Sequence, residues 1–500
     1  MTIAMLLEMA ASGFDDRIAL THGEDQWTYA ELASASANGA ANLSEHSARS
    51  LAFLGTNGPA MPIALFAAAE VGVPFVPLNY RLARAQLVEL LERLDAPLII
   101  ADAAQAEVLG DIGATVIQTP DWIDTVRKGS ASQPDRSIDD ESAAVILFTS
   151  GTTSKPKGVL LTHSNLVSYI LQTVEFGGAE PTDASLISVP PYHIAGVGTV
   201  LSNIYSGRRM VYLTEFTPSE WIRLVRDEQV TNAMVVPTML ARLVEELESN
   251  PDSSQTIPNL RSIAYGGSRV SPVILERALA AFPAAGFVNA YGLTETSSTV
   301  AVLGPDDHRT AIGSDDPAVR ARLGSVGLAV PGVEFAIRDA EDNPCAVGEI
   351  GELWIRGPQV SGGYLEAGSV LDADGWFPTR DRAWLDSDGY LFIEGRADDT
   401  IIRGGENIAP AEIEDVISTH PGVHDVAVIG LPDDEWGQRT VAVVVVDPGT
   451  QVDPQELRDF VRARLRGSRT PDDVVFRDEL PYTPTGKLLR RQLVDELKPA

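Results

Sequence analysis

The sequence predicts an α/β multidomain chain: a large N-terminal domain of α/β layers with a β-rich subdomain, followed by a small, mobile α+β C-terminal domain. Three observations carry this. Five hundred residues exceed what one hydrophobic core serves, so two to four folding units are expected. Over roughly the first 390 residues, short β-branched runs alternate with helical stretches, the pattern of layers around mostly parallel sheets. From about Gly348 the texture changes to strands with paired glycines at their turns (GEIGELWIRG, DGYLFIEG).

In chain order, MTIAMLLEMAASG is apolar but carries Glu8 and no basic leader, so it reads as a helix start and not a signal peptide. The strand-like runs are SLAFLG (50–55), PFVPL (74–78), PLIIA (97–101), AAVILFTS (143–150), SLISVP (185–190), RMVYL (209–213), NAMVVP (232–237) and LRSIAYGG (260–267). Helical patterns such as EWIRLVRDE and MLARLVEELES lie between them. The most apolar segment, Met61–Leu78, is interrupted by Glu70, Pro74 and Pro77 and is not expected to span a bilayer. RKGSASQPDRSIDDES, near 127–142, reads as a surface loop or linker. After Asp398 comes a compact unit: helix AEIEDVISTH, strands VHDVAVIGLP and RTVAVVVVD, and helix ELRDFVRARLRG. The expected division is 1–397 and 398–500.

The formal charge of −32 disfavours a nucleic-acid partner and docking on an anionic membrane. It leaves small anionic ligands open, because a few local lysines outweigh a distant acidic surface. One cysteine, Cys345, excludes an internal disulfide framework and a multi-cysteine zinc site, and a cytoplasmic location is the simplest expectation.

Between two apolar runs stands TSGTTSKPKG, Thr149–Gly158. Its spacing is wrong for the G-x-x-x-x-G-K-[ST] phosphate loop, since Pro156 and Lys157–Gly158 stand where that pattern ends. It still offers hydroxyls on Thr149, Ser150, Thr152 and Thr153, open backbone N–H groups at Gly151, and cations on Lys155 and Lys157. Taken alone such a stretch is more often a plain surface loop. NAYGLTET, 289–296, offers Tyr291 to stack on a base, Thr294 for a phosphate and Glu295 for Mg2+, or equally a turn before a capped helix.

The combination discriminates. TSGTTSKPKG, NAYGLTET, GWFPTRD (375–381), GRADDTIIRGGENIAPAEIE (395–414) and PTGKLLR (484–490) occur in one order along one chain. This resembles the adenylate-forming superfamily of acyl-CoA synthetases, adenylation domains and luciferases, from WTYAEL (27–32) to the C-terminal lysine. The resemblance implies ATP-dependent activation of a carboxylic acid to an acyl-adenylate, then thioester formation with coenzyme A, with Mg2+ as cofactor. The loop Thr149–Gly158 would close over the ATP phosphates. Gly266, Gly267 and Ser268, with Asn289, Ala290, Tyr291 and Gly292, would surround the nucleotide. Thr294 would bond the α-phosphate, Glu295 would ligate Mg2+, and Asp381 and Arg396 would bind the ribose. Lys487 matches the catalytic lysine, which would bridge carboxylate and α-phosphate. Asp398 matches the hinge about which the C-terminal domain swings. Gly404, Gly405 and Trp436 match the pantetheine tunnel, and His193 the gate of the acyl site.

Amino-acid activation is unexpected, because PYHIAGVG lacks the acidic residue that would pair an ammonium. Malonate is disfavoured by Ala290, where the malonate specialists of the superfamily carry Arg; Arg269 remains as an anion partner or a plain surface arginine. A pocket wall of Tyr192, Val197, Met234, Val235, Val236, Tyr265 and 297–300, including Ser298, suits a hydrophobic monocarboxylic acid: fatty, arylalkanoic or polycyclic. Small residues at Gly196, Gly198, Ser297 and Ser298 would leave room for bulk.

Three departures from the family pattern stand out: Ser154 and Arg380 replace glycines, and 467–469 reads GSR where an aromatic and a lysine are usual. The rival enzyme reading is an acyl-AMP ligase that loads a carrier-protein phosphopantetheine arm. The absence of an insertion across 395–414 favours CoA over it. A nucleotide-binding protein without turnover is the non-enzyme alternative, and monomer and homodimer both stay open.

Overall fold

The computed structural model describes residues 1–130, 137–149, 156–250, 257–403, 406–433, 436–465, 467–483 and 486–498, the side chains of 407 and 468 excepted. Two large sheets dominate the N-terminal portion. The first has eight strands, with Ser50–Leu54, Phe75–Pro77, Pro97–Ala101, Val116–Gln118 and Ala143–Thr149 parallel and Lys157–Thr162 antiparallel beside the last of these. The second has nine, with a parallel centre (Arg209–Tyr212, Ala184–Ile187, Asn232–Val235, Ser262–Gly266, Gly286–Leu293) and antiparallel strands at both edges. Both sheets are thus mostly parallel, as expected, with antiparallel strands confined to their edges. Hairpins reverse direction wherever two strands are joined without a crossover helix.

One core fills the space between the two sheets, built from helices Ile3–Phe14, Tyr29–Glu45, Ala60–Val71, His163–Thr173 and Ile194–Ser206. Thr28 caps the second of these in a reciprocal box with Glu31. A second core covers the outer face of the nine-stranded sheet with helices Pro218–Asp227, Pro237–Ser249 and Pro272–Ala281. The β-rich text forms a four-stranded antiparallel sheet, Glu334–Arg338, Gly351–Arg356, Phe377–Leu385 and Leu391–Arg396. Beyond it lie a hairpin, Ile401–Arg403 with Glu406–Ile408, and a three-stranded sheet, Val423–Asp433, Gly437–Val446 and Asp473–Phe476. The stretch expected as a loop near 127–142 begins inside helix Thr119–Lys128. Among the described residues, no helix is long and apolar enough to cross a membrane.

Helix Ala60–Val71 is buried along its whole length, Glu70 included, and one Glu70 carboxylate oxygen has no partner. Burial, with a contribution from Glu8, raises this carboxyl to about 8. The folded chain therefore holds a proton here that the unfolded chain releases near pH 4.5, so this contribution to stability falls as pH rises from that value to about 8. Glu70→Gln should remove that slope. Its stability, compared with wild type by melting at pH 5.5 and 8.5, should show a gain that is larger at the higher pH by about 3 kcal/mol.

Candidate active site

The site gathers at the junction of the nine-stranded sheet, the four-stranded sheet and the C-terminal loop. Strand Gly286–Leu293 carries Asn289–Gly292 and ends in a single 3-10 turn, Thr294–Thr296. Backbone proximity dictates its glycines: a Cβ on Gly292 would lie 1.7 Å from the Ser298 carbonyl oxygen, and one on Gly266 would lie 2.2 Å from that of Ala290. The turn is followed by two serines at positive φ, Ser297 (55°) and Ser298 (111°), strained backbone of the kind that collects at functional sites. Thr296 pins it, its hydroxyl meeting the carbonyls of Leu293 and Ser298 at 3.0 Å. Gln359 bonds the Thr296 and Thr299 carbonyls from the other side.

Asp381 and Arg396 face each other across neighbouring strands, Arg396 Nε standing 2.9 Å from Asp381 Oδ1. The Tyr291 hydroxyl donates to the other Asp381 oxygen, and Arg396 also donates to the Thr379 carbonyl at 2.9 Å. Burial raises the Asp381 carboxyl above its ordinary range, against the opposing pull of Arg396, the Tyr291 hydrogen bond and Lys487. Glu295 accepts a 2.7 Å hydrogen bond from the Tyr364 hydroxyl on one oxygen. Tyr364 also faces Lys157, whose ammonium lies 5.6 Å from the ring centre.

Lys487 enters this cleft from a tight turn. Gly486, at φ 71°, donates to the Thr483 carbonyl, and the Lys487 N–H reaches Thr483 Oγ1 at 2.9 Å. Ser268 donates to the Gly486 carbonyl at 3.2 Å, and Arg269 pairs with Asp415 at 2.5 Å. These two contacts tie the C-terminal portion to the turn after strand Ser262–Gly266, so Arg269 serves as an inter-element tie. Lys487 remains open to solvent, yet enough protein surrounds it that burial, then Arg396, lowers its pKa; Asp399, Asp381 and Glu295 act in the opposite sense. Lys487, Arg396, Asp381 and Glu295 thus share one electrostatic neighbourhood, although the first is about a hundred residues from the next.

Other expected residues are placed differently. Tyr265 is 1% exposed, with its hydroxyl 2.9 Å from His308 Nε2, in the core behind the sheet. Val235 and Val236 belong to that same core, and Val197 to the one between the sheets. Alternation along the strand explains Val235: Ala233 and Val235 face the outer helices, while Met234 points the other way, within 4.0 Å of the Thr199 hydroxyl. Ser298 lies close to Gly198, where an added Cβ would sit 3.2 Å from its hydroxyl oxygen. His193 is the N-cap of helix Ile194–Ser206, with its ring against Tyr192 at 4.6 Å, which in turn meets Tyr80. Burial lowers His193 to about 4, so it is neutral at pH 7.

Asn289 donates to the Ser325 carbonyl at 3.2 Å. Trp436 is 44% exposed, with the Arg403 guanidinium 4.8 Å from its ring centre. Asp398 sits exposed in the 3-10 turn Ala397–Asp399. Arg380 adopts φ 64°, which explains the usual glycine, and its side chain points to Glu352 and solvent, away from Asp381. Arg469 pairs with Glu406 and Glu412. Thr149 lies at the strand end, 3.5 Å from the Lys157 carbonyl oxygen. Ser150, Gly151, Thr152, Thr153, Ser154, Lys155, Gly404 and Gly405 lie outside the described residues. Sequence reasoning missed Tyr364 and Gln359, which carry no motif and are recognised only by what they touch, and Thr379, which stands inside GWFPTRD but is distinguished only by its contact with Arg396.

A cavity of about 510 Å3 opens on the side of the sheet facing helix His163–Thr173, lined mainly by apolar atoms, with Ala290 and Thr299 among its walls.

The residues fit a nucleotide with Mg2+. A single carboxylate, Glu295, suits an ion whose remaining ligands are phosphate oxygens and water. Comparison with known proteins agrees with this chemistry. Residues 7–365 match the model of the AMP-binding enzymes and 412–487 that of the AMP-binding enzyme C-terminal domain. A feruloyl-CoA synthase from an Amycolatopsis species is 33% identical over 488 residues, 95% of each chain. The 2-succinylbenzoate–CoA ligase of Bacillus subtilis is 31% identical over 97% of this chain and 96% of that one. Among solved structures, o-succinylbenzoate CoA synthetase from Bacillus subtilis with its acyl-adenylate intermediate superposes with a TM-score of 0.82 at 30% identity, covering 98% of this chain and 97% of that one. ATP-bound MatB from Rhodopseudomonas palustris gives 0.87 at 27% identity over 99% of each. The chain therefore belongs to the AMP-binding enzymes of the adenylate-forming superfamily.

Proposed function

We propose that this enzyme is an AMP-forming acid–CoA ligase that activates a hydrophobic monocarboxylic acid with ATP and transfers the acyl group to coenzyme A. The observation that carries the reading is the convergence of Lys487, the Asp381–Arg396 pair and Glu295 on one cleft. Attack of a carboxylate on an α-phosphoryl group must overcome anion–anion repulsion, and preset positive charge and donors lower that barrier. Lys487 would meet both anions, Thr294 would bond the α-phosphate, and Asp381 with Arg396 would hold the ribose. Tyr364 fixes the Glu295 carboxylate that would hold Mg2+, and the ion would neutralise the departing pyrophosphate. No general base is required, because the attacking carboxylate is ionised at pH 7.

The chain is proposed to articulate at Asp398, with 1–397 and 398–500 as its moving parts. The Ser268–Gly486 and Arg269–Asp415 contacts would then belong to the adenylation arrangement. The apolar cavity and Ala290 support a hydrophobic acid, and relatives named for feruloyl, 2-succinylbenzoyl and indoleacetyl substrates point to aromatic acids. One relative is named a fatty acid–[acyl-carrier-protein] ligase, which keeps a carrier arm as the second reading of the acceptor.

A panel of fatty, arylalkanoic and polycyclic acids, assayed by pyrophosphate release with and without CoA, tests this. Release together with acyl-CoA detected by mass is the expected result. Release with transfer only to a phosphopantetheinylated carrier would favour the second reading, and no release from any acid would remove the ligase assignment.

A further inference from the structure

The N-terminal and C-terminal portions meet without sharing a core. Among the described residues, the hydrophobic clusters on the C-terminal side draw only on residues from Ile401 onward, and the clusters before them end at Ile393. A junction with no common apolar core is placed by its polar contacts, so each of these carries weight.

Two neighbouring residues of one turn make such contacts. Ser268 donates to the Gly486 carbonyl at 3.2 Å, one residue before Lys487, and Arg269 pairs at 2.5 Å with Asp415 of helix Pro410–Ser418. The Lys487 turn is closely seated: a Cβ on Gly486 would lie 2.7 Å from the Thr238 hydroxyl oxygen of helix Pro237–Ser249. Farther along that helix, Glu245 stands 4.0 Å from His424 Nε2, beyond hydrogen-bond reach, with both side chains open to solvent.

Charge singles out Arg269. Both portions carry more acidic than basic side chains, so their approach needs cations at the contact. Asp415 feels Glu394, on strand Leu391–Arg396 of the other portion, and Glu414 beside it. Glu414 is answered within its own portion by Arg490 at 2.5 Å, whereas Asp415 is answered from across the junction by Arg269. Burial raises the Asp415 carboxyl above its ordinary range; Arg269 pulls against that rise, and Glu414 and Glu394 add to it.

We infer that Arg269 is a positioning residue for Lys487: its ion pair with Asp415 is the tie that holds the C-terminal portion, and with it the Lys487 turn, against the cleft. What Lys487 does there rests on the ligase reading; the tie itself does not. Releasing the tie should unseat Lys487 without altering the lysine, and a reacting geometry is sensitive to small displacements.

The junction can be read without any substrate. Glu245→Cys with His424→Cys, in a Cys345→Ser background, sets exposed thiols on its two sides, to be joined by a short bis-maleimide. Added to this parent, Arg269→Glu, which turns a carboxylate toward Asp415, should slow crosslinking about tenfold, and Asp415→Arg should do the same. The two together, with the charges exchanged, should return crosslinking to within about threefold of the parent. In the enzyme with its natural cysteine, Arg269→Glu should lower acid-dependent pyrophosphate release about tenfold, measured with whichever acid of the panel above releases it fastest. Thioester formation from supplied acyl-adenylate should change by less than about twofold, and the exchanged pair should recover release. Crosslinking of Arg269→Glu within about twofold of the parent, or no recovery in the exchanged pair, overturns the inference. Equal loss in both half-reactions, the mark of a merely structural role, overturns it as well. If no acid releases pyrophosphate the ligase reading falls, while crosslinking still decides whether Arg269 is the tie.

Discussion

Lys487→Ala is expected to reduce acid-dependent pyrophosphate release by about a hundred- to a thousandfold, the scale of losing one preset charge contact to a transition state. Thioester formation from supplied acyl-adenylate should stay near wild type. The basis is where the side chain stands. Lys487 is carried on a turn closed by Thr483 and Gly486, which is itself bonded to Ser268 beside the nucleotide cleft. Its pKa is influenced by Arg396, Asp381 and Glu295 together, so it lies within the cluster where charge would develop during adenylation. Single-turnover measurement of each half-reaction separates the two outcomes, and equal loss in both would contradict the division of labour. ATP binding measured in the variant should persist, because the Asp381–Arg396 pair proposed to hold the ribose and the Tyr291 contact are untouched.

What could be read in advance follows from how local each signal is. Asp381 and Arg396 are joined by a short antiparallel connection, so their facing positions follow from two adjacent strand patterns. The close approaches at Gly266 and Gly292 are likewise local, and glycines mark them in the sequence. The acid-pocket wall was poorly legible. Asn232–Val235 and Ser262–Gly266 lie in a sheet covered on both faces, and apolar residues occupy both sides of each strand. No polar alternation distinguishes Met234 from Val235, or Ala264 from Tyr265, so buried core residues were read as lining. Tyr364 was invisible for another reason: it is recognised only through its contact with Glu295, sixty-nine residues away.

Removing Arg396 is expected to be the second most damaging single change, because it leaves a buried carboxyl without its cation. Asp381 is 5% exposed at its side chain and Glu295 adds to its burden of negative charge, whereas Arg396, at 2.9 Å, offsets both burial and that repulsion. Breaking such a pair from one side costs about 3–5 kcal/mol. Burial already raises the Asp381 carboxyl, so, taken alone, it favours the fold at low pH, a contribution that fades as pH rises through its folded-state pKa. The proposed role of Asp381 has the opposite requirement, an ionised carboxylate that would accept the ribose hydroxyls. Arg396→Ala should therefore move the acid limb of kcat/KM for ATP to higher pH and raise the KM for ATP at neutral pH by about tenfold or more. Arg396→Lys, which restores the charge but not the paired geometry to Asp381 and the Thr379 carbonyl, should return the limb part of the way. A merely structural role for Arg396 predicts a lower melting temperature with the limb unmoved; that result would remove the pair from the proposed nucleotide site.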